Sequence, residues 1–275
     1  MVDFAGGHPS TEEAAKVVAA LDEELGGQGI SFHAGVQYRH LMVAPASWLE
    51  ADCVPPHDLT GRAAVWPSGP AAARLIELME ASRHVVARFG LAANQVWLWG
   101  QGTRPRLPSF RSAYGAEAAL VSAVDVVRGL GALTGIPSVP VEGITGWYDT
   151  NYEGKRDACL ETLAAGADVF LLHVEASDEA GHAGDVAAKA EALENWDRRI
   201  LGPLVEGLDG LGPWRLLLLP DHPTPLARRT HTCDPVPYLL FDSTTSGPGG
   251  VYSERATAGC APVAGPSLRG RLLGR

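Results

Sequence analysis

Hydrophobic residues recur every three or four positions in several stretches of the chain. One stripe follows Ser10 and ends before Gly26, a second runs from about 71 to 89, and a third from about 185 to 208. This spacing predicts amphipathic helices. Ser10 and Glu13 also have the spacing of a capping box, which marks the start of the first helix.

Short uninterrupted apolar runs alternate with helical stretches in the later part of the chain. The clearest runs are 169–174 and 216–219, and they are typical of buried strands. Further short strands are predicted at about 30–32, 36–43, 95–99, 118–122, 139–141 and 238–241. Strand–helix alternation of this kind indicates an α/β fold with a mostly parallel sheet flanked by helices.

The pattern changes near residue 92. Before it, two helices enclose two short strands and a proline-rich stretch at 44–70, and the repeated alternation begins only after it. We therefore predict a smaller α+β module at 1–92, followed by an α/β module at 93–275.

Composition excludes several classes of protein. The net charge is −10 and no cluster of lysine and arginine stands out, which argues against a nucleic-acid partner. No apolar run approaches the roughly 18–20 residues of a membrane span, and no signal peptide is evident. The four cysteines form no Cys-x-x-Cys pair and are expected to be reduced thiols. We expect a cytoplasmic protein with no membrane partner.

Five candidate metal ligands lie in three short clusters, two of which follow apolar runs. Asp178 and His182 are four residues apart, which on a helix brings both side chains to one face. Asp221 and His222 are adjacent, so in extended backbone they point in opposite directions and suit two neighbouring ions. His231 could complete either site.

Carboxylates and imidazoles without thiolates suit Mn²⁺ or Zn²⁺, and Mg²⁺ less well. Two ions about 4 Å apart can bind an oxyanion, activate a hydroxyl nucleophile and stabilise a leaving oxygen, as phosphoryl transfer requires. Spacing alone leaves open whether these residues bind metal or are ordinary polar loop residues. It also does not identify a reaction.

Several separate motifs resemble the cofactor-independent phosphoglycerate mutases of the archaeal type, in the alkaline phosphatase superfamily. The resemblance covers nearly the whole chain. It is carried by VEASDEAGH at 174–182, PDHPTP at 220–225, RTHTCDPVP at 229–237, GHPSTEEA at 7–14, YRH at 38–40, WLWGQG at 97–102 and DTNYEGK at 149–155.

The resemblance implies a metal-assisted reaction that interconverts 3-phosphoglycerate and 2-phosphoglycerate through a phosphoserine, without bisphosphoglycerate. Asp178, His182 and His231 would hold one divalent ion, and Asp221 and His222 would belong to a second. Mn²⁺ is the first metal to expect, with Zn²⁺ or Mg²⁺ as alternatives. Residues 1–92 would be part of an inserted substrate-handling domain, and 93–275 the C-terminal part of an incomplete alkaline phosphatase-like core.

Four cationic side chains are candidate contacts for the substrate. Arg39 and His40 could bind its phosphate or carboxylate, since arginine offers a planar fork of donors; an exposed strand pair is the alternative. Arg229, close to His231, could act similarly. Lys155 is either an anion contact or an ordinary lysine on a helix surface.

One departure from the family pattern is large. Family members begin with a strand that ends in a metal-binding aspartate, followed by the nucleophilic serine, and neither block is found here. Ser10 and Ser177 do not lie in a matching block, so we assign no nucleophile. The expectation is a truncated form, inactive on its own, whose start is mis-called or whose gene is truncated or split. It could require a missing N-terminal segment or a homo-oligomeric partner.

Two other functions stay open from the sequence. The chain could be another metal-dependent phosphatase of the superfamily, or a phosphotransferase similar to homoserine kinases. It could also be a catalytically silent remnant or a binding subunit.

Overall fold

The computed structural model describes residues 1–247 and 249–274. The chain forms two compact units, Met1–Pro105 and Arg106–Arg275. This division lies after the predicted boundary at 92/93, because the stretch that follows residue 92 is bound to the first unit. Val96 N donates to Ser82 Oγ at 2.9 Å, and Trp97 Nε1 donates to the Val54 carbonyl at 2.9 Å.

The first unit packs two helices and a short antiparallel strand pair. They are α1 (Thr11–Leu25), β1 (Ser31–His33), β2 (Leu41–Val43) and α2 (Ala72–Val86). Apolar faces of α1 and α2 meet in a core that contains Val17, Leu21, Val85 and Val86. Both halves of the predicted capping box between Ser10 and Glu13 are formed, which confirms the start of α1.

Two predicted strands differ from the structure in this unit. The strand expected at 36–43 begins only at Leu41, because Gln37 has a left-handed φ of 54° that breaks the extended backbone. Arg39 and His40 therefore precede β2 instead of lying on it. The strand predicted at 95–99 is wrong, since that stretch is irregular and uses its backbone and side chains to contact the unit's interior.

The second unit alternates short strands with helices. Its strands are β3 (Ala118–Val121), β4 (Val169–Leu172), β5 (Arg215–Leu218) and β6 (Leu239–Asp242). Its helices are α3 (Phe110–Tyr114), α4 (Asp125–Thr134), α5 (Tyr152–Ala164), α6 (Ala176–Ala183), α7 (Val186–Asn195), α8 (Gly202–Asp209), α9 (Glu254–Thr257) and α10 (Gly265–Leu272). A π-helical turn, Trp196–Leu201, joins α7 to α8, so the long helix predicted at 185–208 is present but interrupted.

The core of this unit lies between α5, β4 and the helical stretch from α6 to α8. Its buried members are Tyr152, Cys159, Ala176, Ala192, Ile200, Leu204 and Leu208. Packing on this core holds α6, which follows three residues after the carboxyl end of β4. In α/β folds that edge is where polar groups from separate loops are gathered.

The mixed α/β composition is confirmed, but the strands of the described residues form three two-stranded sheets. β3 and β4 are parallel, with Ala118 opposite Val169, while β5 and β6 are antiparallel, with Arg215 opposite Asp242. The expected mostly parallel sheet does not appear in these pairings. The connection between β5 and β6 contains no helix to carry the chain across the sheet, so β6 returns beside β5 in the opposite direction.

The short strand predicted at 139–141 is also absent, and the chain makes only an isolated bridge there, between Leu120 and Ser138. Among the described residues, no helix combines the length and the apolar character needed to cross a membrane.

Candidate metal centre

Three of the five predicted ligands converge in the second unit. His182 Nε2 lies 3.3 Å from Asp178 Oδ2 and 3.0 Å from His231 Nε2. His231 Nε2 in turn lies 3.5 Å from Asp178 Oδ1. Within the described residues this is the group of three carboxylate or imidazole side chains whose ligand atoms all lie within 4.8 Å of one another.

Helix α6 supplies two of the three side chains. Asp178 is in its first turn, where a carboxylate is favoured by the helix dipole, and His182 is in its last turn. Their spacing of four residues places both on the same face, as the sequence predicts. His231 comes from the irregular segment between β5 and β6.

Thr224 was missed by the sequence reasoning, although it contacts a ligand directly. It is buried at 5% exposure, and its hydroxyl donates to Asp178 Oδ1. Gly181 allows this contact, since a Cβ at that position would lie 2.5 Å from the Thr224 carbonyl oxygen. The position of Thr224 between Pro223 and Pro225 is the one signal in the sequence, because two flanking prolines fix the backbone that carries it.

A backbone carbonyl orients His182. Its Nδ1 lies 3.1 Å from the Arg229 carbonyl oxygen, which can only accept a hydrogen bond. Nδ1 therefore carries a proton. Nε2 faces Asp178 and His231, so it donates to Asp178 when the ring is protonated and offers its lone pair to a cation once that proton is lost. An imidazole that ligates a metal usually has this second contact.

Electrostatic interactions bias both α6 ligands toward their charged forms. Burial alone would raise the pKa of Asp178, but the hydrogen bonds with His182 and Thr224 outweigh it and lower that pKa to about 2. The hydrogen bond with Asp178 raises the pKa of His182, against the opposing effect of burial. An ionised carboxylate is thus held beside two imidazole nitrogens.

Asp221 and His222 are placed differently. The His222 ring packs on the His231 ring with centroids 3.7 Å apart, while the Asp221 side chain is 76% exposed. His222 Nε2 lies 3.5 Å from Asp221 Oδ2. No third carboxylate or imidazole of the described residues joins these two in a ligand group.

The geometry at Asp178, His182 and His231 fits a divalent cation. Bonds of about 2.1 Å from a metal to nitrogen and oxygen place tetrahedral ligands roughly 3.4 Å apart. The observed separations of 3.0, 3.3 and 3.5 Å are close to that value. Three protein ligands also leave coordination positions for a substrate oxygen.

The candidate substrate contacts have different surroundings. In the first unit, Arg39 lies 5.2 Å from the Tyr38 ring centroid, and its Nε is buried without a hydrogen-bond partner. His40 Nδ1 accepts from the Gly35 N–H at 3.2 Å. In the second unit, the Arg229 guanidinium lies against Gly184.

Lys155 is neither a helix-surface residue nor open to an anion from solution, because it is only 1% exposed. Its Nζ donates to the His173 carbonyl at 3.0 Å. Desolvation by burial lowers the pKa of Lys155 to about 8. The helix periodicity could not show this, since α5 is covered by contacts far away in sequence.

Ser122 and His173 form a second pair that the sequence reasoning missed. Ser122 is buried at the end of β3, and its Oγ lies 3.0 Å from His173 Nδ1 beyond the end of β4. The parallel pairing of these two strands brings the side chains together. Ser10, by contrast, caps α1, and Ser177 lies in α6 directly before Asp178.

Two family models match the chain. Residues 1–89 match the model described as 2,3-bisphosphoglycerate-independent phosphoglycerate mutase, and residues 78–264 match the metalloenzyme superfamily. The two matches together cover the first unit and most of the second.

Curated relatives carry the same description. A "probable 2,3-bisphosphoglycerate-independent phosphoglycerate mutase" of Geobacter sulfurreducens is 42% identical, over 98% of this chain and 71% of that protein. The 2,3-bisphosphoglycerate-independent phosphoglycerate mutase of Methanothrix thermoacetophila is 44% identical, over 88% of this chain and 64% of that protein. The chain thus spans about two thirds of the length of these relatives.

Solved structures agree in fold. The PH0037 protein from Pyrococcus horikoshii matches with a TM-score of 0.65 at 24% identity, over 86% of this chain and 61% of that one. The cofactor-independent phosphoglycerate mutase from Thermoplasma acidophilum matches with a TM-score of 0.54 at 19% identity, over 98% and 71%. At these identities the likeness bears on the fold alone.

Proposed function

The chain belongs to the 2,3-bisphosphoglycerate-independent phosphoglycerate mutase family of the metalloenzyme superfamily, and on that premise we propose that it serves the metal-assisted interconversion of 3-phosphoglycerate and 2-phosphoglycerate. The observation that carries the proposal is the convergence of Asp178, His182 and His231 on one point at cation-ligand distances. No bisphosphoglycerate is required in this scheme.

Each residue of the centre has a separate task. Asp178 supplies the negative charge, and Thr224 holds its carboxylate in place. His182 and His231 supply neutral nitrogen donors. A divalent ion held by these three would neutralise phosphate charge and lower the pKa of a hydroxyl nucleophile. We propose Mn²⁺ as that ion, with Zn²⁺ or Mg²⁺ as alternatives, because the ligands are mixed nitrogen and oxygen donors.

A second divalent ion is proposed at Asp221 and His222, beside the first. The stacking of His222 on His231 supports it, since it brings the two clusters next to each other. The Asp221 carboxylate and the His222 imidazole would hold the ion. Donors beyond these two residues would have to complete the coordination.

Arg39 and His40 are the proposed contacts for the anionic groups of the substrate. The unpartnered Arg39 Nε supports this role, because a buried donor without an acceptor is costly and a phosphate or carboxylate oxygen would satisfy it. In this scheme residues 1–92 handle the substrate as part of an inserted domain, and 93–275 belong to the metal-binding, alkaline phosphatase-like domain.

The phosphoserine is the part of the reaction to which no residue is assigned. Ser122 is buried with its hydroxyl engaged by His173 and Val124, and Ser177 lies in the helix that carries two ligands. For the 275-residue chain on its own, the proposal is therefore binding of metal and phosphoglycerate without turnover. Turnover by this chain alone would identify one of its own serines as the nucleophile.

The test of substrate binding uses the paramagnetism of Mn²⁺. The ³¹P resonance of 3-phosphoglycerate should broaden when the chain and Mn²⁺ are both present, because bound phosphate lies near the ion. In the Asp178→Asn variant the broadening should fall to that of Mn²⁺ with an unrelated protein. Equal broadening with the wild-type chain and with Asp178→Asn would contradict the proposal.

The test of the reaction measures interconversion of the two phosphoglycerates after exhaustive chelation and again after Mn²⁺ is restored. Any turnover, by this chain or by a longer one that contains it, should require the metal. Turnover that persists after chelation would rule out the proposed role of Asp178, His182 and His231.

A further inference from the structure

We propose that Arg229 is a positioning residue for the metal centre, and that it acts through its own backbone carbonyl on His182. The inference rests on the proposed metal-binding function. It deepens that function by assigning a residue that fixes a ligand before any ion arrives.

The backbone of Arg229 has an unusual conformation. Its φ is 54°, in the left-handed region that residues other than glycine, asparagine and aspartate seldom adopt. Its N–H donates to the Pro225 carbonyl at 2.9 Å, which closes a turn after the PDHPTP segment. This turn directs the Arg229 carbonyl toward α6, where it accepts from His182 Nδ1 at 3.1 Å.

The contact determines which nitrogen of His182 is available. A carbonyl oxygen only accepts hydrogen bonds, so Nδ1 must keep its proton. Nε2 is then the ring nitrogen whose lone pair can bind a cation. Nε2 is the atom that faces Asp178 and His231 at 3.3 and 3.0 Å. A ring flipped about its Cβ–Cγ bond would lose the hydrogen bond and direct a carbon at the centre.

The side chain of Arg229 also contacts the end of α6. Gly184 is the C-cap of this helix with a φ of 71°, and a Cβ there would lie 2.5 Å from Arg229 Nε. The guanidinium therefore lies against the turn where helix carbonyls are unpaired and a positive charge is favoured. His231 follows Arg229 by two residues. The turn at Arg229 therefore contacts α6, which carries Asp178 and His182, and leads directly to the third ligand.

Two variants separate the backbone from the guanidinium. Arg229→Asn removes the guanidinium, but asparagine tolerates a left-handed φ, so the carbonyl can stay on His182. Arg229→Val also removes the guanidinium, and its branched Cβ opposes that φ. Loss of an outer-shell partner of a ligating histidine typically lowers metal affinity about 10- to 100-fold. Arg228→Val, at the exposed neighbouring position, is the matched control.

The experiment uses calorimetry to measure the Mn²⁺ affinity of the full chain after a chelator has removed its metal. Arg229→Val should bind about 10-fold or more weakly, while Arg229→Asn and Arg228→Val should remain within about threefold of the wild type. The inference would be overturned if Arg229→Val bound Mn²⁺ as tightly as the wild type. It would also be overturned if Arg229→Asn and Arg229→Val lost Mn²⁺ affinity equally. A wild-type chain that binds no ion would refute the proposed function instead.

A second readout does not depend on how the Val variant folds. In the metal-free wild type at alkaline pH, ¹⁵N NMR of His182 should show the proton on Nδ1. A proton on Nε2 would overturn the inference whatever the metal affinities are.

Discussion

Lys155 places an ammonium group in the interior of the second unit. Its Nζ has the His173 carbonyl as an acceptor at 3.0 Å, and the residue is 1% exposed. Desolvation lowers its pKa to about 8 from 10.5, although the charge of nearby Glu175 opposes the shift. The folded state therefore binds this proton less tightly than the unfolded chain does.

This pKa predicts how stability depends on pH. Because the folded pKa is the lower one, the free energy of unfolding should rise with pH between about 8 and 10.5. Relative to Lys155→Met, which cannot titrate, the wild type should gain about 2 kcal/mol from pH 7 to pH 9.5. Urea unfolding of the wild type and Lys155→Met at both pH values measures their free energies of unfolding. A difference between the two proteins that is the same at pH 7 and pH 9.5 would contradict the prediction.

At the scale of single residues, the sequence predicts better which side chains share a helix face than which tertiary contacts they make. Residue type and a spacing of four were enough to place Asp178 and His182 on one face of α6. The sequence also identified His231, but it could not show that Asp221 would lie outside the group of three. Thr224 and Lys155 depend on tertiary packing, which local patterns do not encode.

Helix α6 depends on one glycine for its position against the segment that follows β5. A Cβ at Gly181 would lie 2.5 Å from the Thr224 carbonyl oxygen, a backbone atom that cannot move away alone. Gly129 in α4 is a matched contrast, since a Cβ there meets nothing within 4 Å.

The two alanine variants should therefore differ in sign. Gly181→Ala should destabilise the protein by about 1–3 kcal/mol, because the helix and the segment must separate and weaken the hydrogen bond from Thr224 to Asp178. Gly129→Ala should stabilise it by about 0.5–1 kcal/mol through helix propensity. Chemical denaturation measures both, and a Gly181→Ala protein as stable as the wild type would be inconsistent with the tight approach.

Helices were predictable because their signals are local. The capping box at Ser10 and the apolar stripe after it gave α1 directly. Strand neighbours were not predictable in this way, because pairing depends on the path of the connection. The chain between β5 and β6 contains no helix, and the pair is antiparallel where the alternation suggested a parallel sheet.

On the scale of the molecule, the two units are joined by exposed chain. Residues 102–109 are exposed and contain neither helix nor strand. Such segments are the preferred sites of proteolysis, so trypsin should cut first after Arg106 and release two resistant fragments. Arg106→Gln should delay that cut, and a first cut within α1 or α5 would contradict the division at Pro105.

Net charge also bears on function at this scale. A protein of net charge −10 repels an anionic substrate on average, so it needs local cations at the binding site. Metal ions at the carboxylate and imidazole cluster would provide them. Metal binding is therefore the claim on which the proposed function depends.

The most direct test of that claim measures Mn²⁺ binding by electron paramagnetic resonance, with the full chain first stripped of metal by a chelator. The wild type should hold an ion whose affinity falls at least about 10-fold in Asp178→Asn, since a direct ligand is lost. Asp197→Asn, which removes an exposed carboxylate elsewhere in the second unit, should bind as the wild type does. A wild type without bound Mn²⁺, or an Asp178→Asn variant that binds it equally well, would contradict the proposed metal centre.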